Sequence, residues 1–343
     1  MAATLNTAVM DERRIGWWTH RQQRLGRMGG DPQATLRDVV GVYSSHPSAP
    51  LTLHARSPSL DAAGFRALDA LRLPAMRGSI HLLPAETAHR IFRALPEPAA
   101  SGARRLKTFG LTQPRYAELR AAVLVAAAAP RTARELRSQL GVDRELSGVI
   151  GQMTREGALV RLGADGLRSN ELRYQACEIP DADRDRSLAW LAGEYLRAFG
   201  PVRRSDFAWW AGVSAARADA ALAAHQTDEL EDGLLLLRAQ RAEFERVRSP
   251  GGVVDLLPKW DCYTMGYPLA GRGRFADADI VSSLYDHRGD GLPVVLVEGR
   301  AAGTWRALPG PRVAFEVNLF EPPGAKVKRA LDEALERVGE LLA

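Results

Sequence analysis

Cysteine is nearly absent from this 343-residue chain, which holds only Cys177 and Cys262. Two cysteines cannot build a disulfide framework, and their separation is not that of a zinc site. Long apolar runs are missing as well. The longest, 121–129, is alanine-rich and far short of the ~20 residues that span a bilayer. The opening MAATLNTAVMDERR lacks the basic-then-apolar order of a secretory leader. These absences lead us to expect a cytoplasmic, nucleoid-associated protein without membrane contact. Lysine is scarce too: the 46 basic residues include only Lys107, Lys259, Lys326 and Lys328. No GxxxxGK phosphate loop, CxxC pair or metal-ligand cluster occurs, so neither metal nor cofactor is expected.

What is present is apolar content of 46%, enough for real cores, and a net charge of +5 with a pI near 9.4. The length suits two to four modules. The basic side chains are mostly arginine, which grips phosphate bidentately and stacks on bases. A GC-rich genome would also enrich arginine and alanine, so the bias alone identifies no partner.

The periodicity divides the chain into four units, at 1–100, 115–178, 184–250 and 251–343. In the first, 11–29 reads as a helix started by Asp11 and stopped by Gly29-Gly30. A second runs from Asp31, with Pro32 in its first turn, to about Tyr43. Leu51–Arg56 alternates weakly, and Asp61 caps a third helix over 61–71. Leu73–Leu83 reads as two short strands around Arg77-Gly78, and Pro84-Ala-Glu86 opens a helix ending near Pro96. Helices followed by a small hairpin make a winged-helix pattern. Residues 97–114 read as a basic linker carrying Arg104, Arg105 and Lys107.

The second unit repeats this grammar more clearly. Tyr116–Ala128 is a helix, Thr132-Ala-Arg-Glu135 is a capping box, and Arg144–Glu156 carries Leu146, Val149, Ile150 and Met153 on one face. Strands at Leu159–Leu162 and Leu172–Ala176 flank a polar tip, GADGLRSNE, containing Arg168. In such modules the third helix enters a DNA groove or serves protein contacts. The third unit has helices at Arg186–Phe199, Ser205–Ala211 and Ser214–His225 and a strand at Gly233–Arg238. Its Trp209-Trp210 pair suits core and interface packing. From Gly251 the pattern turns β-rich, with strands at Val253–Leu257, Pro293–Glu298, Ala301–Trp305 and Arg312–Leu319, and a closing helix at Gly324–Leu342. Residues 266–290 form a long excursion, basic at Arg272 and Arg274, suited to a loop over DNA or over a site.

Two stretches stand apart. Val39–Arg56 and Arg77–Glu86, with His89 just beyond, hold His46, His54 and His81 together with Arg56 and Arg77. Polar, titratable side chains interrupting apolar runs need buried partners, so these stretches are expected to floor a site.

Three motifs, MRGSIHLLPAE (Met76–Glu86), LLPKWDCYTMGY (Leu256–Tyr267) and VEGRAAGTWR (Val297–Arg306), resemble the tandem winged-helix family that includes the AlkZ and YcaQ DNA glycosylases. The resemblance runs from about residue 11 to 342. It implies an α+β chain of three winged-helix modules followed by a C-terminal β-rich, barrel-like unit, with a concave basic surface for DNA. It also implies cleavage of the N-glycosidic bond of bulky alkylated purines, in some members as self-resistance to an antibiotic. The family's catalytic motif is Gln-apolar-Gln or Gln-apolar-Asp. Aligned by Gly41 and Pro47, this chain carries Tyr43, Ser44 and Ser45 there.

An alkylated purine is cationic and already a good leaving group, so the chemistry needs a held water and charge stabilisation more than a strong acid. Tyr43 and Ser45 can bind that water, and His46 is the candidate base. His54 and His81 can orient it or line the site, as can Arg56 and Asp261, the latter as an arginine partner. The structural alternatives are a helix-terminal His46, hydrogen-bonded core positions for His54 and His81, and a turn-capping Asp261. Phosphate contacts are expected from Arg77, Arg104, Arg105, Lys107, Arg168, Arg173, Arg272 and Arg274. The expected partner is double-stranded DNA carrying bulky adducts, bound by a monomer. Two readings remain: a glycosylase, or a non-catalytic DNA-binding protein such as a lesion sensor or regulator.

Overall fold

The fold comes from a computed structural model, which describes residues 12–26, 29–44, 47–96, 99–163, 167, 171–308 and 313–343. Helix α1 (Glu12–Gln22) is tied to the C-terminal unit by a buried pair, His20 Nε2 lying 2.7 Å from Asp255. Asp31 caps α2 (Pro32–Asp38) by accepting from the amides of Gln33 and Ala34. That helix ends at Asp38 and not near Tyr43, because Val40 (φ +71°) and Gly41 (φ +145°) leave helical space. Only glycine fits at 41, where a Cβ would stand 2.6 Å from a Leu83 methyl. Val42–Tyr43 are therefore strand β1. Helix α3 (Ser48–His54) forms where the sequence alternates only weakly, and Asp61 caps α4 (Ala62–Arg66). Strands β2 (Ala70–Pro74) and β3 (Ile80–Pro84) meet at a tight tip in which Arg77 sits at φ +53°. Helix α5 (Ala85–Ala94) follows.

The expected linker contains helix α6 (Ala99–Thr108). Leu106 supplies the reason: it is buried with Leu111, Val149 and Ile150 in the core of the second unit. Gly102 lets α6 approach closely, since a Cβ there would lie 2.8 Å from the Gln152 side chain. Next come α7 (Gln113–Ala126), β4 (Arg131–Thr132), α8 (Ala133–Leu140), α9 (Arg144–Glu156), β5 (Leu159–Leu162) and β6 (Arg173–Ala176). The Thr132/Glu135 capping box is formed, and Gly141 ends α8 in the left-handed region. Strand order β1-β3-β2-β5-β6-β4 makes one six-stranded sheet. It joins the hairpins of the first two units through Arg72 opposite Arg161.

The third stretch holds α10 (Arg184–Phe199), α11 (Arg204–Ala211), α12 (Ala215–Leu222), β7 (Thr227–Glu229), β8 (Leu235–Leu237) and α13 (Arg241–Arg246). The last unit comprises β9 (Val254–Leu257), β10 (Val294–Val297), β11 (Arg300–Leu308), β12 (Ala314–Leu319) and α14 (Ala325–Leu342). Its sheet runs β12-β11-β10-β9. Four strands with two free edges do not close, so the unit is an open sheet and not a barrel. Leu331, Ala334 and Val338 of α14 share a core with Val254, Leu256 and Val295 of the sheet. The chain is α+β, and its units are not separate beads. A single core contains Leu83 and Ile91, Tyr195 and Phe199, and Tyr263, Tyr267 and Phe275. The last of these shows that 266–290 is packed inward more than it overhangs. Among the described residues no helix is long and apolar enough to cross a membrane.

Candidate active site

Strand β1, the β2–β3 tip, α9, β5 and the turn at Trp260 border a cleft of about 510 Å³. Tyr43, Ser44 and Ser79 contribute hydroxyls, Arg155 and Arg161 contribute positive charge, and Trp260 and Asp290 come from the C-terminal unit. Gly78 and Arg155 also line a neighbouring cavity of about 340 Å³, reached by Arg77 and Arg217. The Arg77-Gly78 tip thus stands where the two spaces adjoin.

Antiparallel register brings Tyr43 opposite His81, and their rings pack 4.3 Å apart. Burial pushes the Tyr43 phenol above its ordinary value, with Arg77 pulling the other way, so it is a neutral hydroxyl at pH 7. Arg77 Nη2 donates to that hydroxyl at 2.5 Å and reaches the Met265 carbonyl at 3.4 Å. The guanidinium lies 3.9 Å over the Trp209 ring of α11. Its Nη1 is buried without a hydrogen-bond partner. Beneath, His81 donates from Nδ1 to the Ser79 carbonyl at 3.0 Å. Burial drives its pKa down to about 4, opposed by that hydrogen bond and helped by Arg77, so the ring is neutral.

Arg56 and Asp261 form a bidentate pair at 2.8 and 2.9 Å with both side chains fully buried. Arg56 also donates to the carbonyls of Gln23 and Thr52, and Asp261 accepts the Tyr263 amide. Desolvation opposes the Arg56 charge, but Asp261, with Cys262 and Asp255, outweighs it, so its pKa is raised. This clamp closes the turn Pro258–Asp261, whose Trp260 sits at φ +59°. A bulky aromatic in that region is strained and is held only by its surroundings. The Trp260 amide is fixed to the Gly291 carbonyl at 3.1 Å. Lys259 stands 4.5 Å over the indole and 3.5 Å from Asp286.

The structure brings Tyr43, Arg77 and His81 together, with Asp261 and Arg56 supporting the turn beside them. Ser45, His46 and Arg168 lie outside the described residues. His54 is buried elsewhere, under α14: its Nδ1 donates to the Leu60 carbonyl and burial lowers its pKa. Arg104 and Lys107 are exposed on α6, whereas Arg105 is bound to Gln152 at 2.7 Å. Arg173 is exposed at the start of β6. Arg272 stacks 3.4 Å over Tyr285. Arg274 is 4% exposed and donates to the carbonyls of Gly271 and Phe199, so it is a core residue and not a phosphate ligand. Sequence reasoning missed Arg155, Arg161, Trp260 and Asp290 as cleft residues, although Trp260 sits inside the LLPKWDCYTMGY motif. It read Trp209 as packing without its arginine partner. Among the described residues no group of three or more His, Cys, Asp or Glu side chains is placed to hold a metal ion.

An α+β chain in which two helix-and-hairpin units and an open sheet enclose an arginine-lined cleft has the build of a nucleic-acid-handling protein. The AlkZ-like DNA glycosylase family matches residues 23–341, and the chain belongs to that family. The fold is similar to that of Streptomyces sahachiroi DNA glycosylase AlkZ, with a TM-score of 0.73 over 96% of each chain at 19% identity. No curated protein sequence matches the chain significantly.

Proposed function

We propose that this protein is a monofunctional DNA glycosylase. It hydrolyses the N-glycosidic bond of bulky N7- or N3-alkylated purines in double-stranded DNA, acting in repair as a monomer. The observation that carries this reading is the cleft. Tyr43 and Ser44, at the family's catalytic motif, line it, and Arg155 and Arg161 give it the charge a DNA backbone requires. Its volume and its junction with the second cavity suit an adduct larger than a methyl group. We read the helix-and-hairpin units as winged-helix modules.

Tyr43 and Ser45 replace the amide and acid side chains of relatives and, with the neighbouring His46, hold the attacking water in this reading. Cleavage without a Schiff base is favoured by the lysines: Lys259, the one at the Trp260 turn, is engaged by Asp286 and the indole. Exposed Arg104, Lys107 and Arg173 are assigned to phosphate contacts outside the cleft. The Tyr43-Ser44-Ser45 replacement itself favours the second reading, a lesion-binding protein without chemistry. A duplex carrying one bulky N7-alkylguanine separates the two. A glycosylase leaves an abasic site that breaks in hot alkali, whereas a sensor protects the lesion and releases no base.

A further inference from the structure

Hydrolysis of an alkylpurine nucleotide develops positive charge on the sugar and needs an acceptor for a water proton. A carboxylate meets both needs, and Tyr43, Ser44 and Ser45 contain none. Among the described residues lining the cleft, one side chain is a carboxylate: Asp290. It lies close enough to Tyr43 to contribute to the upward shift of that phenol.

Asp290 is presented by a rigid turn. The neighbouring Asp286 does the structural work, its Oδ1 accepting the amides of Arg288 at 2.9 Å and Asp290 at 3.0 Å. Its own amide donates to the Asp290 carbonyl at 2.9 Å, and Lys259 approaches its other oxygen. On the far side Gly291 accepts from Trp260 and donates to Met265 Sδ at 3.2 Å. A Cβ at 291 would stand 3.1 Å from Thr264 Oγ1, so the backbone fits closely here. With its main chain pinned on both sides, Asp290 keeps a half-buried carboxylate that forms no hydrogen bond or ion pair with another described residue. In a cleft carrying two arginines, a preorganised and uncommitted carboxylate is poised for a ligand.

We propose that Asp290 is the catalytic carboxylate of this protein, supplied by the C-terminal unit in place of the acid or amide missing at Tyr43-Ser44-Ser45. This rests on the glycosylase reading. Water attacks C1′ as the C1′–N9 bond breaks. The bonding pair leaves on N9, which neutralises the cationic purine. One water proton passes to Asp290 and then to solvent, and the sugar keeps the hydroxyl as an abasic site. Before proton transfer the carboxylate stabilises the oxocarbenium-like sugar.

The test is single-turnover base release from a duplex with one N7-alkylguanine, together with anisotropy titration of the same duplex and thermal melting. Asp290→Asn should slow release by about 100-fold or more. Its DNA affinity should be unchanged or tighter, since a negative charge leaves the cleft. Asp290→Glu should retain more activity than Asp290→Asn, and Asp290→Ser guards against a fold effect peculiar to asparagine. An active wild type whose Asp290→Asn and Asp290→Ser variants release base within threefold of its rate overturns the assignment alone. So does loss confined to His46→Ala. A wild type that binds the duplex and releases no base from any alkylpurine overturns the glycosylase reading and this assignment with it.

Discussion

Replacing Arg56 with methionine should cost more stability than any single cleft substitution. The guanidinium makes four hydrogen bonds, two to Asp261 at 2.8 and 2.9 Å and two to the carbonyls of Gln23 and Thr52 at 2.8 Å each. Methionine fills much of the space but leaves Asp261 with the Tyr263 amide as its remaining donor, 0% exposed. Breaking a buried pair from one side costs about 3–5 kcal/mol, because the surviving charge has neither water nor a counter-ion. Two carbonyls also lose a donor, which keeps the value in the upper part of that range. Near the low end of the ~2–4 °C per kcal/mol expected for large domains, the melting point falls by roughly 8 °C. Urea unfolding followed by tryptophan fluorescence measures the loss. Combining Arg56→Met with Asp261→Asn should recover part of it, since the second change removes the stranded charge. A loss under about 1 kcal/mol, or strict additivity of the two variants, would refute the clamp. Because the clamp also closes the turn that strains Trp260, base release should fall in Arg56→Met even under conditions where the protein is fully folded.

Tyr43→Phe strips Arg77 Nη2 of its 2.5 Å acceptor and the cleft of one water ligand, so release should drop by about tenfold or more with little change in DNA affinity; an unchanged single-turnover rate would remove the hydroxyl from the chemistry. His81 is neutral in the fold down to about pH 4, whereas the unfolded chain takes the proton near 6.5. Stability is therefore full above about pH 6.5 and declines as pH falls towards 4, by about 3 kcal/mol from this residue. His81→Gln should flatten that stretch of a urea-midpoint-against-pH curve, and an identical slope in the variant would show that the ring is not the source. Arg161→Gln should lower the slope of log affinity against log salt by about 1. Arg274→Gln should leave that slope alone and lower the melting point instead; a salt-slope change at Arg274 would return it to the DNA surface.

Local signals in the chain were legible where one residue sets one conformation. Thr132 with Glu135, Asp31 with Pro32, and the Gly141 stop all sit where capping chemistry puts them. The Arg77-Gly78 hairpin and the four C-terminal strands were legible for the same reason. Signals failed where a distant partner decides. Val40 takes a left-handed conformation that no valine advertises, and it turns the expected helix end into a strand beside His81. Leu106 converts the basic linker into a helix by burying itself against α9, a contact invisible without the fold. The pairing of Arg72 with Arg161, which fuses two hairpins into one sheet, is non-local in the same way. In the site, the family motif marked Tyr43, and the polar interruptions marked His81 and Arg77. Nothing local distinguishes Arg272, stacked on Tyr285, from Arg274, buried two residues on. Asp290 and Trp260 reach the cleft from a unit more than 200 residues downstream of Tyr43.

In the proposed reading the cleft joins charge for the backbone, hydroxyls for water, and a carboxylate for the sugar cation. Each is supplied by a different part of the chain, and the six-stranded sheet and the Arg56–Asp261 clamp hold them in register. One measurement tests this most directly: a duplex end-labelled on the strand with a bulky N7-alkylguanine is incubated with the wild-type protein and then heated in alkali. The expected result is a single strand break at the lesion that appears only after alkali, with the free alkylated base in solution. Intact strands and no free base, from protein that demonstrably binds the duplex, would contradict it.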